Sequence, residues 1–244
     1  MLQARLTRRI KNLNLSNFED YYSYVTSAEG LAHEMPNMVN AVTTNKTDFF
    51  REPRHFDYLT RIVLPEFYHN KKNKKFKIWS AACSTGAEPY TMAMLLHEFS
   101  LKNPGFHFAI LSTDISTEVL DIAKKGIFNY EMVKSIPKKY RKKYLLKSKN
   151  MKAHPCIQII PELKQFIKFR QLNLMDDYYP VNNDIDVIFC RNVFIYFDRQ
   201  TQECVTRRLC KYLKSGGYLF IGHSETIRIK NPPFQTVSST IFKK

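Results

Sequence analysis

The residues best suited to chemistry begin with the turn Cys-Ser-Thr-Gly-Ala-Glu-Pro at residues 83–89. The free backbone N–H groups at the start of a helix attract anions, and a glycine such as Gly86 lets a ligand approach the backbone closely. The turn matches neither the G-x-x-x-x-G-K-[ST] nor the G-x-G-x-x-G pattern, which argues against nucleotide phosphates and standard dinucleotides. Glu88 would repel a phosphate and attract an ammonium group, so the expected ligand carries an amine.

Asp114 is the second candidate, and it ends a run of residues with the pattern of a β-strand. An acid at the tip of the second strand of an α/β sheet can accept hydrogen bonds from both hydroxyls of a ribose. Alternatively, Asp114 caps the following helix and Glu88 only complements a helix dipole. Taken together, the two acids and the absence of a phosphate loop indicate an adenosyl ligand that bears an amino acid, as in S-adenosylmethionine.

A third group follows the apolar run 185–190, which is typical of a strand buried on both faces. Arg191 and Asn192 come directly after this run, where substrate and cofactor meet in α/β sheets. Asn192 and Tyr196 are four residues apart, so both can face one cleft if the segment coils. The neighbouring Phe194 and Phe197 are expected to pack in the core.

Polar residues also interrupt an aromatic pair in the segment TNKTDFFREP, residues 44–53. Asn45 and Thr47 offer hydrogen bonds, and the guanidinium of Arg51 can hold a carboxylate in a bidentate grip. His223, in GHSE at residues 222–225, has no paired acid or serine in the sequence. A structural role is therefore expected for His223.

An alternation of strands and helices positions these candidates. Strands are predicted at residues 76–82, 107–114, 165–174, 185–190 and 217–223, with one or two more at the end of the chain. Helices are predicted at 87–99, at 116–126 between a Ser116 cap and a Gly126 stop, and at 198–217 between an Asp198 cap and a Gly216-Gly217 stop. This pattern predicts an α/β fold with a doubly wound, mostly parallel sheet, whose ligands bind outside the carboxyl ends of the strands.

Two regions depart from the alternation. Residues 1–35 have the apolar spacing of short helices, with Ser16 as a candidate N-cap, and are too few to form a core alone. Residues 36–75 are expected to contain a polar turn and then a helix, and residues 76–244 form the main domain. Within that domain, the β-like pieces 144–146 and 156–160 predict a small antiparallel subdomain at about 140–165.

The composition limits the classes of function. The 244 residues carry a formal net charge of +16, which attracts nucleic acid, anionic lipid or an acidic protein without choosing among them. No apolar run is long enough to span a membrane, and the N-terminus has no secretory pattern. Five cysteines without a C-x-x-C pair indicate free thiols. A cytoplasmic protein with a polyanionic partner and no metal is expected.

Five segments share the order and spacing of one family: TNKTDFFREPRHF, WSAACSTGAEPYTMAM, STDISTEVLDIAKKGIF, FCRNVFIYFD and LKSGGYLFIGHSE. Over roughly residues 38–225 the chain resembles the chemotaxis receptor methyltransferases, the CheR family. The resemblance implies a seven-stranded, Rossmann-like, S-adenosylmethionine-dependent methyltransferase sheet. It also implies methyl transfer to glutamate side chains on the acidic methylation helices of chemoreceptors, which gives glutamyl methyl esters and S-adenosylhomocysteine.

The resemblance assigns roles to residues by motif matching. Tyr196 falls on the position near the transferred methyl group, and Arg51 and Arg191 are available to orient carboxylates. The family's cofactor-contacting positions are occupied here by Asn45, Thr47, Arg51, Ala82, Glu88, Asp114, Asn173, Leu174, Arg191 and Asn192. A glutamate carboxylate needs no activating base, so the sequence is not expected to contain a catalytic dyad or triad.

Two departures from the family pattern bear on the partners. The family's N-terminal helical domain is longer, so residues 1–35 are expected to be a shortened remnant of it. The turn 146–154 lacks the glycines with which some members bind a receptor's C-terminal pentapeptide, so no binding of that tether is expected. A monomer that binds neither nucleic acid nor membrane is expected. The alternatives are a nucleic-acid methyltransferase, suggested by the positive charge, and a non-catalytic adaptor that binds S-adenosylhomocysteine.

Overall fold

The computed structural model describes residues 2–70, 74–148, 155–227, 229 and 231–244. The strands are β1 Lys75–Ala81, β2 His107–Asp114, β3 Ile127–Asn129, β4 Leu145–Lys147, β5 Cys156–Ile159, β6 Ile167–Gln171, β7 Ile185–Phe189, β8 Leu213–Phe220, β9 Gln235–Ser238 and β10 Ile241–Lys243. The helices are α1 Leu2–Asn12, α2 Phe18–Val25, α3 Ala28–His33, α4 Met35–Val42, α5 Pro53–Tyr58, α6 Leu64–Asn70, α7 Ala87–Lys102, α8 Thr117–Lys125, α9 Lys138–Tyr144, α10 Pro161–Lys164 and α11 Arg199–Tyr212. A π-helical stretch, Leu59–Val63, joins α5 to α6.

The larger sheet has seven strands in the order β6-β2-β1-β7-β8-β10-β9. The pairs β6–β2, β2–β1, β1–β7 and β7–β8 are parallel, and β10 is antiparallel to both of its neighbours. The predicted mostly parallel, doubly wound sheet is therefore confirmed. Along the chain, β1 is followed by β2 and β6 on one side of it, and then by β7 and β8 on its other side. The crevice between β1 and β7 is thus the point at which such sheets bind ligands.

Buried side chains on both faces of the sheet keep the strands in register. All five residues of Ile185–Phe189 are buried, as the continuous apolar run predicts. Within this strand, the carboxylate of Asp186 accepts a hydrogen bond from the backbone N–H of Lys77 on β1. The fully buried Trp79 donates its indole N–H to the hydroxyl of Thr113 on β2. These cross-strand bonds pair buried polar groups between neighbouring strands.

Three of the predicted helix caps are confirmed. Ser116 and Asp198 precede α8 and α11, and their side chains accept hydrogen bonds from the backbone N–H groups of Val119 and Thr201. Gly126 ends α8 with a φ of +60°, in the left-handed region that glycine adopts without strain. Local capping chemistry therefore sets the ends of α8 and the start of α11.

Two predicted helix ends are wrong. The helix predicted to reach residue 217 ends at Tyr212, because Leu213 is buried and already pairs with β7 as the first residue of β8. Pairing of a buried strand thus overrides the Gly-Gly stop signal. Asn17, not Ser16, caps α2, since the amide oxygen of Asn17 accepts from the N–H of Asp20 at 2.8 Å.

The N-terminal helices α1 to α4 are joined by a buried carboxylate. Glu34, between α3 and α4, accepts hydrogen bonds from Arg9 Nε and from the hydroxyl of Tyr21, both at 2.9 Å. Burial raises the pKa of Glu34, but the bonds from Arg9 and Tyr21 outweigh it and hold that pKa below its ordinary value. The domain boundary at residue 35 stays a prediction. Met35 is the first residue of α4, which continues to Val42.

The smaller sheet is antiparallel, with the order β3-β5-β4, as predicted for the inserted subdomain. It begins earlier than predicted, because Ile127–Asn129 pairs with β5 directly after α8. Phe128 and Ile157, which face each other in this pairing, are buried. Within the described ranges, none of the helices combines the length and the apolar character needed to cross a membrane.

Candidate active site

A cavity of about 560 Å³ lies where the carboxyl ends of β1, β2, β6 and β7 meet. This volume is within the range of roughly 300–1,000 Å³ that is typical of small-molecule sites. The structure brings every residue predicted for cofactor binding or catalysis into the lining of this one cavity. These residues are Asn45, Thr47, Arg51, Ala82, Glu88, Asp114, Asn173, Leu174, Arg191, Asn192 and Tyr196.

The turn after β1 is held in a left-handed backbone conformation. Ala82, Ser84 and Gly86 have φ values of +68°, +50° and +94°. A Cβ on Gly86 would lie 2.9 Å from the Cβ of Ala123 on α8, so the glycine permits close packing of two helices. Gly86 was expected to let a ligand approach the backbone. Its role here is helix packing instead, since Ala82 and Ser84 line the cavity and Gly86 does not.

Asp114 connects this turn to the end of β2. Its Oδ2 accepts from the backbone N–H of Ser84 at 2.7 Å, and its Oδ1 accepts from the N–H of Ser116 at 3.0 Å. Burial raises the pKa of Asp114 above its ordinary value, although the backbone hydrogen bonds act to lower it. An ionised carboxylate has about four lone-pair sites, so Asp114 keeps acceptor capacity for a hydroxyl of a ligand beside these backbone bonds. Asp114 thus ties the turn after β1 to the residue that caps α8, and its contact with the hydroxyls of a ribose stays a prediction.

Glu88 and Arg191 form a buried ion pair in the wall of the cavity. Arg191 Nε donates to Glu88 Oε2 at 2.7 Å, and the hydroxyl of Ser80 donates to Glu88 Oε1 at 2.6 Å. The side chain of Arg191 is only 2% exposed, and its guanidinium lies over the rings of Phe56 and Phe189. Both oxygens of Glu88 therefore have protein partners, and contact between Glu88 and a ligand amine stays a prediction.

Glu52 binds the other side of the Arg191 guanidinium, and the sequence did not identify Glu52 as a site residue. Its Oε2 accepts from Arg191 Nη1 at 3.1 Å, and its Oε1 accepts from Asn192 Nδ2 at 3.1 Å and from the backbone N–H of His223 at 3.2 Å. Burial raises the pKa of Glu52, but the hydrogen bond to His55 and the charge of Arg191 outweigh it and lower that pKa to about 2. The sequence feature that could have pointed to Glu52 is its position as an acid within the polar segment 44–53.

Glu225 is a second buried acid whose role the sequence did not reveal. Its Oε2 accepts from the backbone N–H groups of Gly222 and Asn192, and its Oε1 accepts from the N–H of Ile195 at 3.3 Å. Asn192 has a φ of +59°, so this carboxylate holds the start of the segment after β7 in a left-handed turn. The acid of the GHSE motif therefore positions the segment that carries Asn192 and Tyr196.

Tyr196 and Arg51 lie at the exposed rim of the cavity. Tyr196 is 57% exposed and ends a 3₁₀ turn, which brings it to the same cavity as Asn192, as predicted. Phe194 in this turn is buried in the core, as predicted, whereas Phe197 is partly buried against the core and also lines the cavity. Arg51 Nη1 donates to the carbonyl of Lys46 at 2.9 Å. Arg51 and Tyr196 thus place a guanidinium and a phenol at the rim of the cavity.

Glu52, His55 and His223 have the atom types of a metal site, and their ligand atoms lie within 4.8 Å of one another. Arg191 Nη1, however, lies 3.1 Å from Glu52 Oε2 and 3.2 Å from His55 Nδ1. The guanidinium already supplies the positive charge at this position. The cluster is therefore a hydrogen-bonded network around an arginine.

The seven-stranded sheet, with a cavity at its crossover and acids in place of a phosphate loop, defines an S-adenosylmethionine-dependent methyltransferase. Residues 45–243 match the CheR methyltransferase, SAM binding domain, and residues 1–43 match the CheR methyltransferase, all-alpha domain. The chain belongs to the CheR methyltransferase family, as its motifs predicted.

Curated relatives extend over nearly the whole chain. The chain is 38% identical to the chemotaxis protein methyltransferase of Borreliella burgdorferi, over 100% of this chain and 86% of the relative. It is 35% identical to chemotaxis protein methyltransferase 2 of Pseudomonas aeruginosa, over 99% of this chain and 84% of the relative. It is also 35% identical to the chemotaxis protein methyltransferase of Escherichia coli, over 99% of this chain and 82% of the relative.

The lining of the cavity fits S-adenosylmethionine, the cofactor of this family. Asp114 offers carboxylate lone pairs, and Ile115 and Leu172 give apolar surface beside it. The turn after β1 carries neither of the phosphate-loop patterns, so the lining suits a ligand without phosphate groups. The backbone of Ala82 and Ser84 adds polar groups on the β1 side.

Proposed function

We propose that this chain transfers a methyl group from S-adenosylmethionine to glutamate side chains of chemoreceptors and so forms glutamyl methyl esters. The observation that carries the proposal is that all eleven predicted residues line one cavity in a chain of this family. The relatives are named chemotaxis protein methyltransferases, which supports chemoreceptors as the substrate class.

The reaction needs little acid–base catalysis by the protein. When bound, S-adenosylmethionine supplies an electrophilic methyl group on a sulfonium sulfur. A glutamate carboxylate is ionised at neutral pH, because its ordinary pKa is about 4.3, and it needs no general base. The residues of the chain therefore have to align the carboxylate and exclude water from the site.

The candidate catalytic residues divide into two roles. Arg51 and Tyr196 lie at the rim, where the guanidinium can hold the incoming carboxylate and the phenol can border the reacting atoms. Arg191 is enclosed between Glu88 and Glu52 and has almost no exposed surface. We therefore assign Arg191 a positioning role, in which it holds the cavity wall without touching the acceptor.

The charge of the chain fits an acidic substrate. The net charge is +16, and the cavity lining includes Arg5, Lys46 and Arg51 in addition to the paired Arg191. A positive field of this kind speeds the encounter with an acidic protein, and added salt screens it. The turn proposed not to bind a receptor tether falls largely on residues 149–154, outside the described residues, and stays a prediction.

A nucleic-acid methyltransferase is the rival that the charge suggests. Cys190 would be its candidate nucleophile, since it follows the fourth parallel strand of the alternation. Cys190 is fully buried, and burial raises the pKa of its thiol well above the ordinary value. A buried neutral thiol is a poor nucleophile, so this feature does not favour the rival.

The proposal is tested with methyl-labelled S-adenosylmethionine, a recombinant chemoreceptor cytoplasmic fragment and, separately, nucleic acid. Label on the receptor fragment should be released as volatile methanol in mild alkali, because carboxyl methyl esters hydrolyse under these conditions. The Lys168→Gln variant, altered at an exposed position on β6, serves as a matched active control. Alkali-stable label on nucleic acid, with none on the receptor fragment, would contradict the proposal.

A further inference from the structure

A second cavity, of about 440 Å³, has no role in the chemistry above. It is bordered by the helical segment 54–62, by His223 after β8 and by the turn between β9 and β10. Ile241 at the start of β10 pairs with Phe220 at the end of β8. The turn therefore lies at the carboxyl end of β8, on the same edge of the sheet as the cofactor cavity.

The two cavities share a wall. Glu52 Oε1 accepts from Asn192 Nδ2, which belongs to the cofactor cavity, and from the backbone N–H of His223, which belongs to the second cavity. His55 lines the second cavity, and its Nδ1 lies 3.2 Å from Nη1 of Arg191, which lines the first. A group bound in the second cavity is thus separated from the methyl-transfer site by one layer of side chains.

The lining of the second cavity suits a carboxylate on an aliphatic stem. Arg54 and Arg61 are exposed there, and neither guanidinium has an ion pair or side-chain hydrogen bond within the described part of the chain. The side chains of Ser238 and Ser239 add hydroxyl donors, and Ile62 adds apolar surface. Asp57 also lines the cavity, so the two arginines outnumber one acid there. Unpaired arginines beside hydroxyl groups are typical of carboxylate recognition.

We propose that this second cavity binds an acidic side chain of the polypeptide substrate, beside the glutamate that is methylated. The inference rests on the proposed function. Residues three or four apart on a helix lie on one face, with roughly 5–6 Å between their Cβ atoms. In this proposed arrangement, one acidic residue of a substrate helix lies at Arg54 and Arg61, and a neighbouring glutamate of the same face lies at the rim beside Arg51 and Tyr196.

The test compares steady-state kinetics of the Arg54→Gln/Arg61→Gln double variant with wild type on a recombinant chemoreceptor cytoplasmic fragment. We expect the KM for the fragment to rise about tenfold at low salt, and less at high salt, because exposed charges are screened. The kcat and the Kd for S-adenosylhomocysteine should stay within about twofold of wild type, since neither arginine lines the cofactor cavity. The Lys168→Gln/Lys211→Gln variant loses the same charge at exposed positions away from both cavities and should keep the wild-type KM.

A second fragment separates local recognition from general charge. In this fragment, acidic residues three and four positions from the methylated glutamate are replaced by glutamine. The wild-type KM should rise about tenfold on this fragment, and the double variant should show no further rise, because the two changes remove the same interaction. An unchanged KM for the double variant, or fully additive losses, would overturn the inference. Absence of any ester formation by wild type would instead contradict the proposed function.

Discussion

Replacing Arg191 with methionine removes the cation that two buried carboxylates share. In the folded protein, Arg191 Nε bonds Glu88 at 2.7 Å, and its Nη1 bonds Glu52 at 3.1 Å and the carbonyl of Arg51 at 2.8 Å. Methionine fills a similar volume beside Phe56 but pairs with neither acid. The variant therefore keeps the packing and leaves two negative charges without their shared partner.

The expected loss of unfolding free energy is about 3–5 kcal/mol at pH 8, because removing one partner of a buried ion pair leaves an uncompensated charge. The loss should shrink at pH 5. Without Arg191, the pKa of Glu52 rises from about 2, so the folded variant takes up a proton that the wild type does not. Since proton uptake by the folded state favours folding as pH falls, the variant recovers stability relative to wild type on acidification.

Urea unfolding at both pH values, followed by the fluorescence of the single tryptophan, Trp79, measures this effect. Trp79 is fully buried, so its emission reports loss of the core. Arg207→Met is the matched control, because Arg207 pairs with Glu203 on the exposed face of α11, where such pairs contribute less than about 1 kcal/mol. A loss below about 1 kcal/mol for the Arg191 variant, or an equal loss at both pH values, would refute the positioning role.

Three further changes test the rest of the site. Asp114→Asn should weaken S-adenosylhomocysteine binding by about 1–3 kcal/mol in calorimetry, because a buried acceptor is lost; unchanged affinity would show that Asp114 is not a ligand contact. Glu225→Gln should raise the same Kd and lower stability by about 1–3 kcal/mol, since an amide replaces one of the oxygens that bind backbone N–H groups; a neutral outcome would argue against its positioning role. Gly86→Ala should cost about 1–3 kcal/mol of stability in urea, because its φ is +94° and the new Cβ meets Ala123; equal stability would show that the turn relaxes freely.

The sequence was sufficient for features that depend on local chemistry. The caps Ser116, Gly126 and Asp198 act on backbone groups within four residues, so residue type and position predict them. The strand after which Arg191 and Asn192 appear was visible as a continuous apolar run. Because parallel strands end at one edge of a sheet, this local reasoning brings Glu88, Asp114, Arg191 and Asn192 together. The other predicted residues of the cavity were assigned their roles by resemblance to the family.

Long-range partners could not be predicted in this way. Glu88 and Arg191 are 103 residues apart, and Glu52 and Asn192 are 140 apart, so no spacing rule connects them. The same holds for the end of α11, which depends on how Leu213 pairs with β7. The wall between the two cavities consists of contacts between residues far apart in the sequence, so only the structure could identify it.

The most direct test of the central claim is to map the methyl group on a chemoreceptor cytoplasmic fragment by tandem mass spectrometry after incubation with the protein and S-adenosylmethionine. We expect single methyl additions on glutamate side chains, removed by mild alkali and absent without the enzyme. Methylation confined to another residue type, or alkali-stable methylation of nucleic acid in place of the receptor, would contradict this claim.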